Sequence, residues 1–298
     1  MAPGEFPDGD TFYMPSVGEM DAYDYTENEP IQYQALDTGI FSFSISEYKQ
    51  AGTFITKKAK QDSFWLKRVE GQFVPMQSRA IMRVLERDIF KEGQPKTGGD
   101  GNYQTAGATN LYNGLAHRWV GSDVINSTTR VLAVEDFARA HLTLTKANVP
   151  TRNLVAIVPP EMAYVMNTQP NLVNFSNPHP QYESIIGSGI ASDMKFVKNI
   201  FGFDVYMSNY LPLCGNNQTG ASETISGIAS GANAKTCLFF SADSSVLPYI
   251  GAWRQAPEVD IEYNKDLQRD EYLTTCRYGL KCQRPENLIS VLVGTSVV

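Results

Sequence analysis

Pro150-Thr-Arg-Asn-Leu-Val-Ala-Ile-Val-Pro-Pro160 and Gly202-Phe-Asp-Val-Tyr-Met-Ser-Asn-Tyr-Leu-Pro212 each read as a strand ending in a sharp stop. Leu154 to Val158 is a short apolar, β-branched run, and Pro159-Pro160 removes the donors that further ladder pairing would need. Pro160 suits the first position of a helix, with Glu161 favourable in its first turn. Phe203, Val205 and Met207 alternate with Asp204, Tyr206 and Ser208, the period-two signature of a strand with one buried face. Neither piece carries an obvious nucleophile, base or metal ligand. These residues specify architecture.

Working outward, a helix is expected near Val131 to Ala147, with Val134, Phe137, Ala138 and Leu142 on its buried side. Pro170 to Pro180 is irregular, and Ala191 to Asn199 reads as a short helix before the Phe203 strand. Cys214 to Lys235 is dominated by Gly, Ser, Ala, Asn and Thr and reads as a long surface loop. Cys237 to Ser241 is a buried-type strand. Three more strands are expected at Val259 to Tyr263, Tyr272 to Cys282 and Leu288 to Val293.

Towards the N-terminus, residues 11–57 are β-rich. Ile31 to Ala35 has period-two character, and Phe41-Ser-Phe-Ser-Ile-Ser46 places Phe41, Phe43 and Ile45 on one face. From Asp62-Ser63 to Glu92 the period becomes helical, with Ser63 as N-cap and Gly93 as stop. Leu66, Val69, Phe73, Ile81, Val84, Leu85 and Ile89 recur at three- and four-residue steps. Such a helix would be ~45 Å long, and Pro75 after Gly71 is expected to kink or divide it. Arg79, Arg83 and Arg87, at i, i+4 and i+8, share a face.

The chain has 298 residues and a net charge of −7, with 42% hydrophobic and 19% charged residues, which marks it as globular. It has no signal-like start and no apolar run of bilayer-spanning length, so a soluble protein is expected. Cys276 and Cys282 on one strand would lie ~20 Å apart, which points to free thiols in a reducing compartment. The charge is unevenly spread. Residues 1–48 hold ten carboxylates, among them Glu19, Asp21, Asp24, Glu27 and Glu29, and no Lys or Arg. Residues 49–92 hold ten Lys/Arg against five Asp/Glu. This division reads either as two solvated surfaces or as an arm of one subunit lying on the helix of another, since complementary potentials set register and partner choice.

No catalytic or metal-binding constellation stands out. His117, His141 and His179 are scattered, with no carboxylate at ligand spacing. Gly227-x-x-x-Gly231-x-x-x-Lys235-Thr236 lacks the spacing and the upstream strand of a phosphate loop. Gly187-Ser-Gly189 lacks the strand–turn–helix context of a nucleophile elbow. Glu161 is explained by the helix dipole. An acidic chain is also a poor candidate for tight nucleic-acid binding, which relies on counterion release at a basic surface. No cofactor is expected.

The order of parts resembles the major capsid proteins of tailed bacteriophages with the Hong Kong 97-type fold, and looks closest to versions found in short-tailed phages. Gly9-Asp-Thr-Phe-Tyr-Met-Pro15 looks like the strand leading into the family's extended loop, and Gln61 to Glu92 resembles its spine helix. Ala147-Asn-Val-Pro150 through Pro160 is similar to the helix, turn and strand entering the axial domain, and Gly202 to Asn209 to another strand there. Tyr272 to Pro285, ending Arg277-Tyr-Gly-Leu-Lys-Cys-Gln-Arg-Pro285, looks like the closing strand of the peripheral domain.

The resemblance implies an α+β chain with a short N-terminal arm at 1–9 and an extended β-hairpin loop at 10–60. The peripheral domain with the spine helix would span 61–125, the axial domain 126–251, and peripheral closing strands 252–298. It implies a structural protein, not an enzyme, that self-assembles as hexamers and pentamers of an icosahedral virion shell around double-stranded DNA. Scaffold, portal and cement proteins are the implied partners, with assembly in the host cytoplasm and no membrane. Covalent crosslinking in the family needs a Lys in the extended loop, and residues 1–48 have none, so noncovalent assembly is expected. The acidic loop of one subunit, through Glu19, Asp21, Asp24, Glu27 and Glu29, is expected to approach Arg79, Arg83 and Arg87 of a neighbour. The alternatives are a cellular nanocompartment shell of the same fold and a soluble hydrolase.

Overall fold

A computed structural model describes residues 11–17, 22–25, 27, 30, 33, 38–63, 66–92, 111–112, 115–125, 129–168, 199–211, 213–214 and 234–295. Several expectations fall outside them: the arm at 1–9, the Ile31 to Ala35 strand apart from Tyr33, Gly93, the 170–180 stretch, His179, Gly187 to Gly189, and most of the 214–235 loop. In chain order the elements are β1 (Thr11–Val17), β2 (Thr38–Ser44), β3 (Glu47–Thr56), α1 (Lys57–Asp62), α2 (Leu66–Glu92), β4 (Leu111–Tyr112), β5 (Leu115–Ala116), β6 (Arg118–Val120), β7 (Asp123–Ile125) and β8 (Thr129–Val131). There follow α3 (Val134–Lys146), β9 (Leu154–Val158), α4 (Pro160–Thr168), β10 (Asn199–Ile200), β11 (Phe203–Met207), β12 (Leu213–Cys214), β13 (Ala234–Ser241), β14 (Tyr249–Asn264), β15 (Arg269–Cys282), a 3-10 turn at Pro285–Asn287, and β16 (Ile289–Gly294). The chain divides into two compact units, one of residues 1–82 and 251–281, the other of 83–250 and 282–298.

The second unit is built on a sheet of order β10-β11-β9-β13-β16-β6, with β12 beside β13. β13 lies between β9 and β16, so Ala-Lys-Thr-Cys-Leu-Phe-Phe-Ser is buried almost throughout. A central strand covered on both faces reads as a continuous apolar run for this reason. β16, grouped by sequence with 252–288, pairs with β13 and β6 in this sheet. Phe137, Phe203 and Phe239 meet edge-to-face at centroid distances of 5.2 to 6.3 Å and form the core between α3 and the sheet. On β11, Phe203 is buried and Val205 half-buried, but Met207 is 58% exposed, so the predicted apolar face covers only the start of that strand.

The helix start at Val134 depends on Asp136, a carboxylate that the hydrophobic pattern does not reveal. Its two oxygens accept from the Ala133 amide at 2.9 Å, the Ser122 amide at 3.0 Å, the Ser122 hydroxyl at 2.6 Å and the Trp119 indole N–H at 2.9 Å. Four donors repay the desolvation of a fully buried carboxylate, and the charge sits at the positive end of α3. Arg139, one turn on, stacks over the Trp119 ring at 4.5 Å. The other end of α3 closes as a Schellman turn. Asn148 takes φ 56°, Val149 donates to the Leu144 carbonyl and Asn148 to Thr145, and Pro150 follows.

Four further local expectations change. Leu142, expected on the buried side of α3, is 51% exposed, because Ala140, Thr143 and Leu144 turn inward with Phe137. Asn199, expected to end a helix, instead opens β10, which turns into β11 through Phe201 (φ 49°) and Gly202 (φ 83°). Positive φ at both central residues is what a two-residue hairpin of this twist requires. Ser63 caps the C-terminus of α1, its amide bonded to the Ala59 carbonyl, and does not start α2. Pro75 does not divide α2, which runs unbroken for 27 residues. Pro75 and Gly71 are both exposed and lie one turn apart, so the Gly71 carbonyl that loses its partner can be hydrated.

In the first unit, β14, β15 and β3 form a three-stranded sheet and β1 and β2 an antiparallel pair. α2 packs on β15 through Gln77, whose amide donates to the Tyr272 carbonyl at 3.0 Å and accepts from the Thr274 hydroxyl at 2.8 Å. Phe73 meets the Tyr272 ring edge-on. The base of the β1–β2 pair rests on the end of β15. Phe43 and Ile45 are buried, Phe41 is half-buried beneath Lys281, and Lys281 Nζ donates to the Ser42 carbonyl at 2.6 Å. Gly279 permits this approach: a Cβ there would stand 2.6 Å from the Ser44 carbonyl oxygen and 3.0 Å from Ile45 Cα.

Two outcomes follow from these contacts. Asp136→Ala leaves a buried indole N–H and two amides without an acceptor, and is expected to cost about 3–5 kcal/mol in denaturant unfolding. Gly279→Val presses a branched side chain into backbone and is expected to cost about 1–3 kcal/mol. Its distinctive signature is faster proteolysis within residues 38–46, measured by limited digestion and mass spectrometry; an unchanged cleavage pattern would contradict the anchoring role of Gly279.

Candidate assembly surface

The polar side chains found in the folded units are spoken for by structure. His117 is buried with Nε2 2.9 Å from the Glu286 carbonyl and Nδ1 3.3 Å from that of Leu115. Burial lowers its pKa below the usual imidazole value, although both carbonyls favour the protonated ring. It ties the β5–β6 link to the 3-10 turn. Asn287 bridges the Ser241 amide and carbonyl and the Val246 carbonyl. Lys235 lies on β13, with Nζ 3.0 Å from the Glu161 carboxylate in the first turn of α4. Gly227 and Gly231 of the glycine-rich run lie outside the described residues, and the lysine itself serves an ion pair.

Cys237, Cys276 and Cys282 are free thiols. Burial raises the Cys237 pKa, and Asp136 and Glu161 push it the same way, so this sulfur is held as the inert thiol. Among the described residues there is no group of three His, Cys, Asp or Glu placed to hold a metal ion. No helix among them is long and apolar enough to cross a membrane.

What the first unit does present is uncovered apolar and charged surface. On β3 the even-numbered residues face outward, leaving Tyr48 and Phe54 exposed while Ile55 is buried. Every residue of β14 from 256 to 263 is exposed. On the β1–β2 pair Tyr13 and Ile40 are exposed, and so are Tyr23, Tyr25 and Tyr33 beyond it. Large side chains scattered singly need no explanation, but a strand segment exposed on both faces, as at 256–263, lacks a core of its own. Such surface is available to another molecule.

Of the residues singled out by charge, Arg79, Arg83 and Arg87 are all exposed along α2, at four-residue steps. Asp24 and Glu27 are exposed, while Glu19, Asp21 and Glu29 lie outside the described residues. The structure of a single chain does not bring the arginines and these carboxylates together in any described ion pair. Sequence reasoning missed the exposed stretch of β14. Its alternation of Val259, Ile261 and Tyr263 with Glu258, Asp260 and Glu262 was visible, but alternation predicts one buried face, and here neither is buried.

Comparison with known proteins gives this surface a context. A chain from Mycobacterium phage Che8 superposes with a TM-score of 0.61 at 15% identity, covering 95% of this chain and 85% of the other. The capsid of cyanophage P-SCSP1u gives 0.65 at 14% identity, covering 96% and 84%. The mature capsid of bacteriophage PhiM1 gives 0.63 at 10% identity, covering 98% and 83%. At such identities the likeness is one of fold, the Hong Kong 97-type capsid fold, and it does not single out short-tailed phages. No curated protein sequence matches. A family model described as phage capsid protein, however, matches residues 41–291. With most of its length matched, the chain belongs to the phage capsid protein family: it is a structural protein of the virion, not an enzyme, and it self-assembles into the phage shell.

Proposed function

We propose that this chain is the major subunit of an icosahedral shell that encloses the double-stranded DNA of a tailed phage and is held together noncovalently. The observation that carries the reading is a well-packed seven-stranded core in one unit and, in the other, a β14 stretch at 256–263 exposed on both faces with Tyr13, Ile40, Tyr48 and Phe54 uncovered. A tile needs a rigid body and edges that neighbours complete. Residues 10–60 would serve as the projecting loop, α2 as the spine, β14 and β15 as the peripheral strands, and the second unit as the axial domain. Pentamers and hexamers would be the building rings, with scaffold, portal and cement proteins as partners and the host cytoplasm as the place of assembly.

Charge supports the same reading. A net −7 gives the coat little hold on a polyanion, so DNA can be packed without sticking to the wall. Between subunits, the acidic loop containing Glu19, Asp21, Asp24, Glu27 and Glu29 would lie on the exposed Arg79, Arg83 and Arg87 row of a neighbour.

Negative-stain microscopy of the purified protein is expected to show closed particles, and denaturing gels a single subunit band without a ladder. Monomers with no closed particles would refute the shell, and a ladder would refute noncovalent assembly. Arg79→Glu, Arg83→Glu and Arg87→Glu together are expected to lower particle yield about tenfold, since each reversal puts like charges opposite one another at the contact. The melting temperature of the unassembled chain should change little, because exposed charges contribute little to folding. Equal yields would remove the electrostatic contact.

A further inference from the structure

The outer end of the three-stranded sheet carries opposite charges on its two edges. On the β14 edge, Glu258, Asp260 and Glu262 are exposed and alternate with exposed Val259, Ile261 and Tyr263. At ~3.3 Å per residue the carboxylates stand in a row at ~6.6 Å steps. Beyond the β3 edge, α1 continues the chain and is tied to the β14–β15 turn by the Lys57 amide, which donates to the Gln268 carbonyl at 2.9 Å. Its Lys57 and Lys58 are exposed.

Of the other basic groups at this end, Lys60 pairs with Asp270, and Arg269 holds Glu271 at 2.6 Å while stacking over Phe54 at 4.6 Å. Lys265, in the β14–β15 turn, is exposed like Lys57 and Lys58. Lys57 and Lys58 form no ion pair among the described residues, and neither do Asp260 and Glu262. The sheet therefore has an acidic row along its β14 edge and, beyond the end of β3 on its other edge, exposed lysines with no ion pair among the described residues.

We propose that these edges join head to tail: the Glu258–Asp260–Glu262 edge of one copy docks on the Lys57–Lys58 end of a second copy, with Val259, Ile261 and Tyr263 supplying the apolar part of the contact. The inference rests on the shell reading and deepens it by naming the two faces. The occupant is a second copy because the complement is carried by the same chain. Two β14 edges cannot pair with each other: like charges would stand opposite one another, and Pro257 has no N–H to give to a ladder. Such devices keep an edge strand from adding strands indiscriminately. What remains open to this edge is a heterologous side-chain contact, which generates closed rings when the rotation per copy closes.

Charge exchange tests it. Glu258→Lys, Asp260→Lys and Glu262→Lys in one variant, and Lys57→Glu with Lys58→Glu in another, are each expected to cut closed-particle yield about tenfold. Far-UV circular dichroism and melting of the unassembled chain should stay close to the parent. Combining all five substitutions should restore yield towards the parent level, which a merely damaged fold would not do. Unchanged yields in the single-edge variants, with parent particles forming normally, would overturn this contact and leave the shell standing; no parent particles would overturn both. Rescue of the β14 variant by Arg79→Glu, Arg83→Glu and Arg87→Glu, and not by the lysine changes, would also overturn it, placing the partner on α2.

Discussion

The constraint on which this structure depends is that apolar burial is concentrated in one unit and withheld from the other. β13 and β16 are buried along their lengths, and three phenylalanines lock α3 onto the sheet. That unit resembles any α+β core. The three-stranded sheet has a covering helix on one side, reached through Gln77 and Phe73, while on the other Tyr48 and Phe54 stay exposed, Phe54 under the Arg269 guanidinium. An isolated hairpin is marginal in water, whereas three strands backed by a helix can stand alone, so it is the β1–β2 pair that depends on joints such as Gly279 against Ser44.

How much of this was legible in the sequence depended on whether local pattern and tertiary environment agreed. β9 was read to the residue because alternation, two prolines and a buried face coincide at Leu154 to Val158. β13 and β16 were legible as apolar runs. The Asn199 hairpin was not, since its turn places Phe201 at positive φ, a choice composition does not advertise. Pro75 misled for the opposite reason. It is a helix breaker by intrinsic preference, but exposed placement opposite Gln77 and Ile81 lets packing on the far side hold the helix. β14 was expected to cover Val259 to Tyr263 and spans Tyr249–Asn264, because pairing with β15 extends a strand through residues of no β preference.

The polar interior was the least legible part. Asp136, Asn287 and Gln77 look like ordinary surface residues in sequence, yet each satisfies several buried backbone or side-chain groups across long separations. No spacing rule finds them, because their partners are set by the finished fold. They explain why a chain rich in carboxylates and amides shows no catalytic constellation among its described residues. Most of the buried polar groups described are committed to one another, the Arg130 Nε and the Tyr249 hydroxyl being the exceptions.

This division bears on how a shell tile avoids wrong partners. A tile with large exposed apolar strands would aggregate if its edges were indifferent to what they met. On β14 the three carboxylates share one face of the strand and Val259, Ile261 and Tyr263 the other, so a partner that grips this edge from both faces gains the apolar contact only where it also neutralises the charge. Neutralisation weakens with salt, while burial of the apolar side chains does not. Electrostatics then selects and orients the neighbour, and apolar contact holds it once docked. An edge strand that is acidic, interrupted by proline and apolar on alternate positions is thus a discriminating joint, in keeping with a protein whose chemistry is association.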